Sequence, residues 1–548
     1  MVKKIDWLLL ILLLVSLLPL YPLLSPGMFK AHDSESHIAR LGAFYQSLSD
    51  GNLIPRWAGD LNNGFGHPIL MFLYPLANYL GSLWHFLGFS FVDSVKLTFA
   101  VSFVLSGVFM YLFAQKFVSK SVAFFVALLY LLAPYRFVDL YVRAALGEHV
   151  AFTIMPLVLW AFYNLIQKQQ LIQVVFASVS LALLLIAHNA IALMFLPFLL
   201  IFIFIFPLQL VSKKIIYLSL SIVLGFALAC FFWLPAFLEG KYTLRDIVTT
   251  NEFAKNFPSL SSFILSPWTF GGSLNFSTQI GLLHWGVVIV SIFYLIRNKI
   301  SNSMFKLLLL SIVMFFCSLF LMNKESLFIW EKMTILQKFQ FPWRFLSLTV
   351  LSSSLCGLVI SYISPKLQKK LVLSLSFCLI LLSIPFWQVN GYLNKTDRYF
   401  INEYTGTTDT GESSPRWSTR GMEEKSSENL KVVDGQAAIK KLQRTSNIHE
   451  YQVYVKTKTR FVEETVYFPG WEVWANKQKL PIEFQDPNYR GLITFYLEQG
   501  DWTIRVVFGE TRLRLLANVI SLASLIVIFA ILGFSLIKAK LFWHEKHI

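Results

Sequence analysis

Long apolar runs recur along most of this chain, separated by short polar segments. Ile5–Leu24, Leu97–Phe113, Leu171–Ala187 and Ile215–Leu234 are examples. Each approaches or reaches the roughly 20 residues that cross a bilayer as a helix. Runs of this kind predict about twelve spans, at 6–24, 95–115, 120–135, 149–166, 171–187, 189–208, 214–235, 283–296, 304–322, 343–363, 370–388 and 513–537. Segment 68–89 is also apolar, but Pro68, Pro75 and two glycines interrupt it. It is expected to be re-entrant or interfacial rather than a crossing.

The pattern changes at 389–512. Residues 395–430 are rich in Thr, Ser, Glu and Gly and predict a linker or flexible loop. Alternation then sets in at Tyr451–Thr457, Phe461–Phe468, Leu492–Leu497 and Trp502–Phe508, with Gly470, Asn476, Asn488 and Gly500 as turn residues. Period-two alternation of β-branched and aromatic residues predicts strands, here a small β-sandwich placed before the last span.

Composition agrees: 56% of the 548 residues are hydrophobic and 14% charged, where a soluble chain carries about a quarter. The fold class is a polytopic α-helical membrane protein. The net charge of +16 does not indicate nucleic acid, because the cations do not form one basic face. They flank the apolar runs, at Lys3/Lys4, Lys116/Lys120, Lys168, Lys213/Lys214, Arg297/Lys299, Lys366/Lys369/Lys370 and Lys538/Lys540. Basic loops stay in the cytoplasm, so both termini are expected inside, in a multi-pass protein of the plasma membrane. The N-terminal run reads as an uncleaved first span. Three units follow: a membrane domain at 1–388, an extracytoplasmic β-rich domain at 389–512, and a final span with its tail at 513–548. This topology places loops 25–94, 136–148 and 236–282 outside with the β-rich domain. Cys230, Cys317, Cys356 and Cys378 all lie in apolar segments and read as buried structural thiols.

Charge close to the bilayer marks function by default. The first outer loop opens on His32-Asp33-Ser34-Glu35-Ser36-His37. Either acid there can take a proton from an attacking hydroxyl; equally, Asp33 can cap the helix that follows. His32 and His37 are open to a divalent metal, although no strong ligand spacing accompanies them. Arg56 suits a phosphate through its fork of donors or, beside Trp57, an interfacial anchor. Asp139 and Arg143 are spaced for an i,i+4 ion pair, and with Glu148 they can equally wall a polar cavity. His188 and Arg344 stand at span ends, and Glu239 is a further acid near the mouth. Walker, Rossmann and HExxH motifs are absent. An enzyme working outside without a nucleotide needs an activated donor delivered by the membrane, and a polyprenyl-phosphate sugar meets that need.

The first-loop cluster, Gly51-Asn-Leu-Ile-Pro-Arg56-Trp57, Gly64-Phe-Gly-His-Pro68, Tyr141-Val-Arg143 with Glu148, His188-Asn189, Trp233-Leu-Pro235 and Gln340-Phe-Pro-Trp-Arg344 together resemble a bacterial membrane family. That family is labelled 6-pyruvoyl-tetrahydropterin synthase-related. The label names a small soluble zinc enzyme, and no such domain is visible here. Tyr467-Phe-Pro-Gly-Trp471 resembles the tail domain of membrane proteins that glycosylate teichoic acids. The wider resemblance is to the GT-C class of glycosyltransferases. It implies many spans, a catalytic acid in the first outer loop, a lipid-phosphate sugar donor and often an extracytoplasmic C-terminal domain.

The resemblance matches Asp33 to that acid. The expectation is therefore a GT-C-like transferase moving a sugar from a polyprenyl-phosphate to a cell-envelope glycan or polymer. Asp33 and Glu35 are its catalytic acids. Arg56, Arg143, Arg344, His37, Asp139, Glu148 and His188 are its candidate substrate or donor-phosphate residues. Two rivals stand: a transporter or flippase of lipid-linked envelope precursors, and a non-catalytic envelope scaffold.

Overall fold

The computed structural model describes residues 5–206, 213–272, 274–297 and 302–545. The predicted basic flanks at Lys3, Lys4 and Lys299 lie outside the described residues, as do the side chains of Lys538 and Lys540 and the end of the 189–208 span. Seven described helices are long and apolar enough to cross a membrane, and up to nine if two bent pairs each count as one. Three shorter apolar helices accompany them at Leu171–Ala187, Asn189–Ile205 and Leu282–Arg297. Every predicted span falls on one of these elements. Segment 68–89 folds as two short helices, Ile69–Phe72 and Leu76–Phe86, broken where Pro75 cannot donate to a continuing helix.

The helices divide by environment. Those at Phe91–Ala114 and Leu146–Lys168 pack against each other in the interior. By contrast, Arg512–Ile537 exposes Leu515, Leu516, Val519, Leu522, Ile526 and Phe529. An apolar stripe so broad with no protein over it suits contact with lipid tails. Cys230 and Cys356 are buried, but Cys317 and Cys378 are exposed and correct the expectation of four buried thiols. They sit on helix faces that no other described element covers.

Helix Lys120–Leu131 bends by 50° into Pro134–Arg143. Pro134 takes the first position of the new helix, where its missing N–H removes no hydrogen bond. The final turn, Val138–Arg143, is a wide π-turn, a form frequent at functional sites. Residues 136–148 were expected to form an exposed loop. They are buried and helical apart from Ala144 and Ala145, because Phe137, Val138, Leu140, Tyr141 and Val142 go into the core.

The C-terminal unit is a β-sandwich. Two short strands come first in chain order, β1 (Met28–Phe29) and β2 (Tyr392–Leu393), and they pair with each other across the molecule. The sandwich follows: β3 (Leu430–Asp434), β4 (Ala437–Arg444), β5 (Ile448–Val455), β6 (Thr459–Val466), β7 (Trp471–Ala475), β8 (Gln478–Leu480), β9 (Leu492–Leu497) and β10 (Gly500–Phe508). One sheet has the order β4-β5-β10-β7-β8 and the other β3-β6-β9. Their inward residues, among them Tyr451, Val453, Ile504 and Val506 from one sheet and Phe461, Ile493 and Phe495 from the other, share one core. The alternation had marked β5, β6, β9 and β10; β3, β4, β7 and β8 are additional.

That core also takes in Trp57, Phe65, Met71 and Phe72 of the first loop. Trp57 meets Trp471 edge-on at 5.3 Å and Phe508 at 5.2 Å. Gly66 makes this possible: a Cβ on it would lie 2.5 Å from the Trp57 indole nitrogen. The polar stretch expected to be a linker is instead a strap, tied by its backbone to two loops. Asn62 and Asn63 donate to the carbonyls of Gly406 and Thr405, Leu244 donates to Ser414, and Arg416 donates to Tyr242. The first loop, the 236–282 loop and the β-sandwich therefore gather at one end of the helical bundle.

Candidate functional site

At this end the buried charges converge on Arg143. Its Nη1 lies 2.8 Å from Glu148 Oε2, 3.0 Å from the Tyr135 hydroxyl and 3.4 Å from Asp139 Oδ1. The Tyr135 hydroxyl donates to the other Glu148 oxygen at 2.7 Å. His149 Nδ1 lies 3.1 Å from Asp139 Oδ2, and its ring stacks on Phe103. Asp139 and Glu148 are wholly buried, and carboxylates survive there only when paired. The π-turn supplies Asp139 and Arg143, and the next helix opens with Glu148 and His149 only a few residues later. The ion-pair reading of the Asp139–Arg143 spacing holds, and the pair lies within a buried polar cluster.

The first loop docks directly onto this cluster. The His32 and Asp33 amides donate to the carbonyls of Val142 and Arg143 at 3.0 and 3.1 Å. Asp33 precedes the helix Ser34–Ser49, yet its side chain makes no capping hydrogen bond. Its carboxylate is exposed and has no hydrogen bond or ion pair among the described residues. The first loop is thus held by its backbone and presents a free acid.

His37 is buried behind it, with Nδ1 3.3 Å from Arg40 Nη1 and Nε2 3.4 Å from the Leu146 amide. Burial, then the Arg40 charge, holds the ring well below its ordinary pKa. A neutral imidazole accepts at only one nitrogen, so one of these two is a contact rather than a hydrogen bond. The ring touches Arg40 of its own helix and the backbone at Ala144 and Leu146, so His37 is a brace between loop and helix.

Arg344 approaches from the far side. Its Nη1 donates to the Phe339 carbonyl at 2.8 Å and lies 3.4 Å from Gln340 Oε1. Its Nε is buried without an acceptor. Among the described residues it forms no ion pair, although the Arg143 and Glu148 charges both reach it. Tyr74 joins the two sides. It feels the charges of both Asp33 and Arg344, and its ring stacks on His188 at 4.6 Å. His188 also caps its helix through Nδ1, which accepts from the Ile191 amide. Gly147 leaves the space Tyr74 occupies; a Cβ there would lie 1.9 Å from the Tyr74 ring. Trp343 lies over the Arg143 guanidinium at 4.3 Å.

Three of the expected site residues point elsewhere. Glu35 is bound to Lys395 Nζ at 2.8 Å. Arg56 donates to Glu510 Oε1, the Phe231 carbonyl and Asn518 Oδ1, at 2.8, 3.1 and 2.8 Å. Its fork is spent on clamping the first loop to the base of the last helix. His32 Nε2 lies 3.4 Å from the Phe270 carbonyl, apart from the His37 ring nitrogens' partners. No group of three or more His, Cys, Asp or Glu gathers as a metal site among the described residues. Glu239, also expected near the mouth, pairs with buried Arg514 at 2.7 Å.

Sequence reasoning missed Tyr135, Arg40, His149 and the buried Arg136, whose guanidinium lies 4.3 Å from the Phe152 ring and donates to Ser106. Charged residues within an otherwise apolar stretch were the available signal.

The pattern described as "6-pyruvoyl-tetrahydropterin synthase related domain; membrane protein" matches residues 70–394, more than half of the chain. The chain belongs to this family. The synthase-related match takes in Asp139, Arg143, Glu148, His188 and Arg344 but begins after Asp33. A Lactococcus lactis protein described only as uncharacterized is 24% identical to this synthase-related chain over 261 residues, which are 45% of this chain and 42% of that protein. The chain thus spans less than half the length of the curated relative it matches.

Among solved structures, the arabinofuranosyltransferase AftD from mycobacteria is similar over 68% of this chain and 26% of its own, at 15% identity and a TM-score of 0.43. ArnT from Cupriavidus metallidurans bound to undecaprenyl phosphate is similar over 69% and 64%, at 14% identity and 0.39. The Archaeoglobus fulgidus oligosaccharyltransferase is similar over 71% and 54%, at 17% identity and 0.41. At these scores the likeness carries no inference about this chain.

Proposed function

We propose that this membrane protein is a GT-C-like glycosyltransferase, taking a sugar from a polyprenyl-phosphate and giving it to a cell-envelope acceptor on the outer face. One observation carries the reading. Among the described residues, an exposed carboxylate without a hydrogen bond, Asp33, stands at the same mouth as a half-buried arginine without a carboxylate, Arg344, whose Nε is buried with no acceptor. A guanidinium held partly out of water with a buried N–H unpaired favours an anion that comes to it, and a lipid-linked phosphate is such an anion. Asp33 accepts the proton of the acceptor hydroxyl as its oxygen bonds to the sugar's anomeric carbon. The bond from that carbon to the donor phosphate breaks, and its electron pair stays on the phosphate. Arg344 stabilises the charge that develops there.

Arg143, held by Glu148 and Tyr135, together with His188 and Tyr74, backs this mouth. Glu35 and Arg56 stay outside the reacting set because Lys395 and Glu510 neutralise them. The basic flanks of the spans support placing this mouth outside the cell, with the termini inside.

Buried Asp139, His149 and Arg136 favour a second reading, a transporter of a lipid-linked precursor, since charges within spans also mark translocation pathways. Cells lacking the protein, complemented with the wild type or with Asp33→Asn, separate the readings by mass spectrometry of envelope sugars. The transferase reading predicts a sugar that the wild type restores and Asp33→Asn does not. A full profile restored by Asp33→Asn at equal protein level sinks it.

A further inference from the structure

The strap carries a charge that reaches the candidate site without entering it. Glu412 Oε2 accepts from Gln340 Nε2 at 3.1 Å, and Glu412 Oε1 lies 3.6 Å from Arg245 Nη2 of the 236–282 loop. Gln340 in turn points its other amide atom, Oε1, toward Arg344 Nη1 at 3.4 Å. A carboxylate accepts only, so it selects which end of the Gln340 amide faces it. The nitrogen is drawn to Glu412, and the carbonyl oxygen is left for Arg344.

The backbone here is strained in the same places. Gln340 has φ +62° and Thr408 has φ +67°, a left-handed conformation that is a true outlier for a β-branched residue. Thr408 is held there by Arg40, whose Nη2 donates to its carbonyl at 2.6 Å. Asn62 and Asn63, which bind the strap from the first loop, and Ala144, next to Arg143, are left-handed as well. Such strain persists where surrounding contacts over-determine it, and it clusters at working sites.

We propose that Glu412 is a positioning residue, acting through Gln340 to aim the Arg344 guanidinium at the mouth it shares with Asp33. The proposal rests on the functional reading above, in which Arg344 receives the donor phosphate. The strap is then part of the site: Arg344 is correctly aimed only when residues 404–416 lie across the loops. Glu412→Gln removes the selection, because an amide can present either end to Gln340, whereas Glu412→Asp keeps it.

The test uses the full-length protein in lipid nanodiscs, with two readouts. Labelling by an arginine-selective dicarbonyl, read at Arg344 by peptide mass spectrometry, reports its positioning without any ligand. Titration with a polyprenyl phosphate and with the matching polyprenol reports phosphate recognition. Glu412→Gln is expected to speed labelling of Arg344 and to weaken the phosphate-dependent part of binding about tenfold, the scale of one hydrogen bond to a charged group. Glu412→Asp stays near the wild type in both, and both variants melt as the wild type does. Unchanged Arg344 labelling in Glu412→Gln overturns the inference, and so does a labelling change that Glu412→Asp shares in full. Altered labelling with no preference for phosphate over alcohol in the wild type keeps the positioning role and removes the functional reading instead.

Discussion

Two kinds of arginine stand at the β-sandwich end of this molecule, Arg56 and Arg514 buried and Arg344 half-buried. Arg56 and Arg514 are fully engaged. Each meets a carboxylate at 2.7–2.8 Å, Glu510 for the first and Glu239 for the second. Each also donates to a backbone carbonyl, of Phe231 and of Pro469 respectively. Among the described residues, Arg344 meets no carboxylate, and Asp33 across the mouth meets no cation. The satisfied pairs join elements far apart in sequence and hold the sandwich onto the helices. Asp33 and Arg344, without a charge partner, are the two that the proposed function employs. Satisfaction of the charge, rather than its burial, separates clamp from site.

The comparison is broken most severely by removing one side of a clamp. Glu239→Gln leaves Arg514 buried and unpaired, and is expected to cost about 3–5 kcal/mol of stability, read as a large fall in melting temperature. An unchanged melting temperature would mean that the clamp holds nothing.

A smaller effect follows from acid. Glu463 is wholly buried in the sandwich, and burial alone would raise its pKa. The hydrogen bond from His449, with the Arg444 guanidinium at 2.6 Å, instead brings it down to about 2. His449 is itself pushed down by burial, so it donates as a neutral ring and Arg444 is the charge partner. A carboxyl whose folded pKa lies below its unfolded value near 4.3 gives stability that is complete above that value and lost as pH falls toward the folded one. The melting temperature is therefore expected to drop between about pH 4.5 and pH 2, and less so in Glu463→Gln measured against its own neutral-pH value. Equal acid sensitivity in the two proteins contradicts the assignment.

The smallest effect is expected at Glu35, whose partner Lys395 is about a third exposed. Pairs of this kind are worth about 0.2–1 kcal/mol, so Glu35→Gln should leave the melting temperature nearly unchanged and envelope glycosylation largely intact. Loss of glycosylation equal to that in Asp33→Asn would return Glu35 to the catalytic set.

Much of this was legible in the sequence, for physical reasons. Spans are long because a bilayer is thick, and strands alternate because a sheet has two faces; both leave marks within one segment. Asp33, Arg143, Glu148 and Arg344 stood out because charge beside apolar runs is costly. What could not be read was pairing across distance. Nothing local tells that Arg56 finds Glu510, that Lys395 finds Glu35, or that Trp57 enters the sandwich core. The strap was misread as a linker because Thr, Ser and Gly look alike whether their backbone bonds to water or to distant loops. The left-handed conformations of Gln340 and Thr408, which neither residue type favours, leave no trace in composition.

The central claim is that the unpaired acid works while the paired ones hold. It is tested most directly by measuring Asp33→Asn in two ways at once, as melting temperature in nanodiscs and as envelope sugar in complemented cells. A wild-type melting temperature is predicted, with glycosylation down by about 10²–10⁴, the usual contribution of a general base. Full glycosylation, or a melting temperature that falls as far as that of Glu239→Gln, would contradict it.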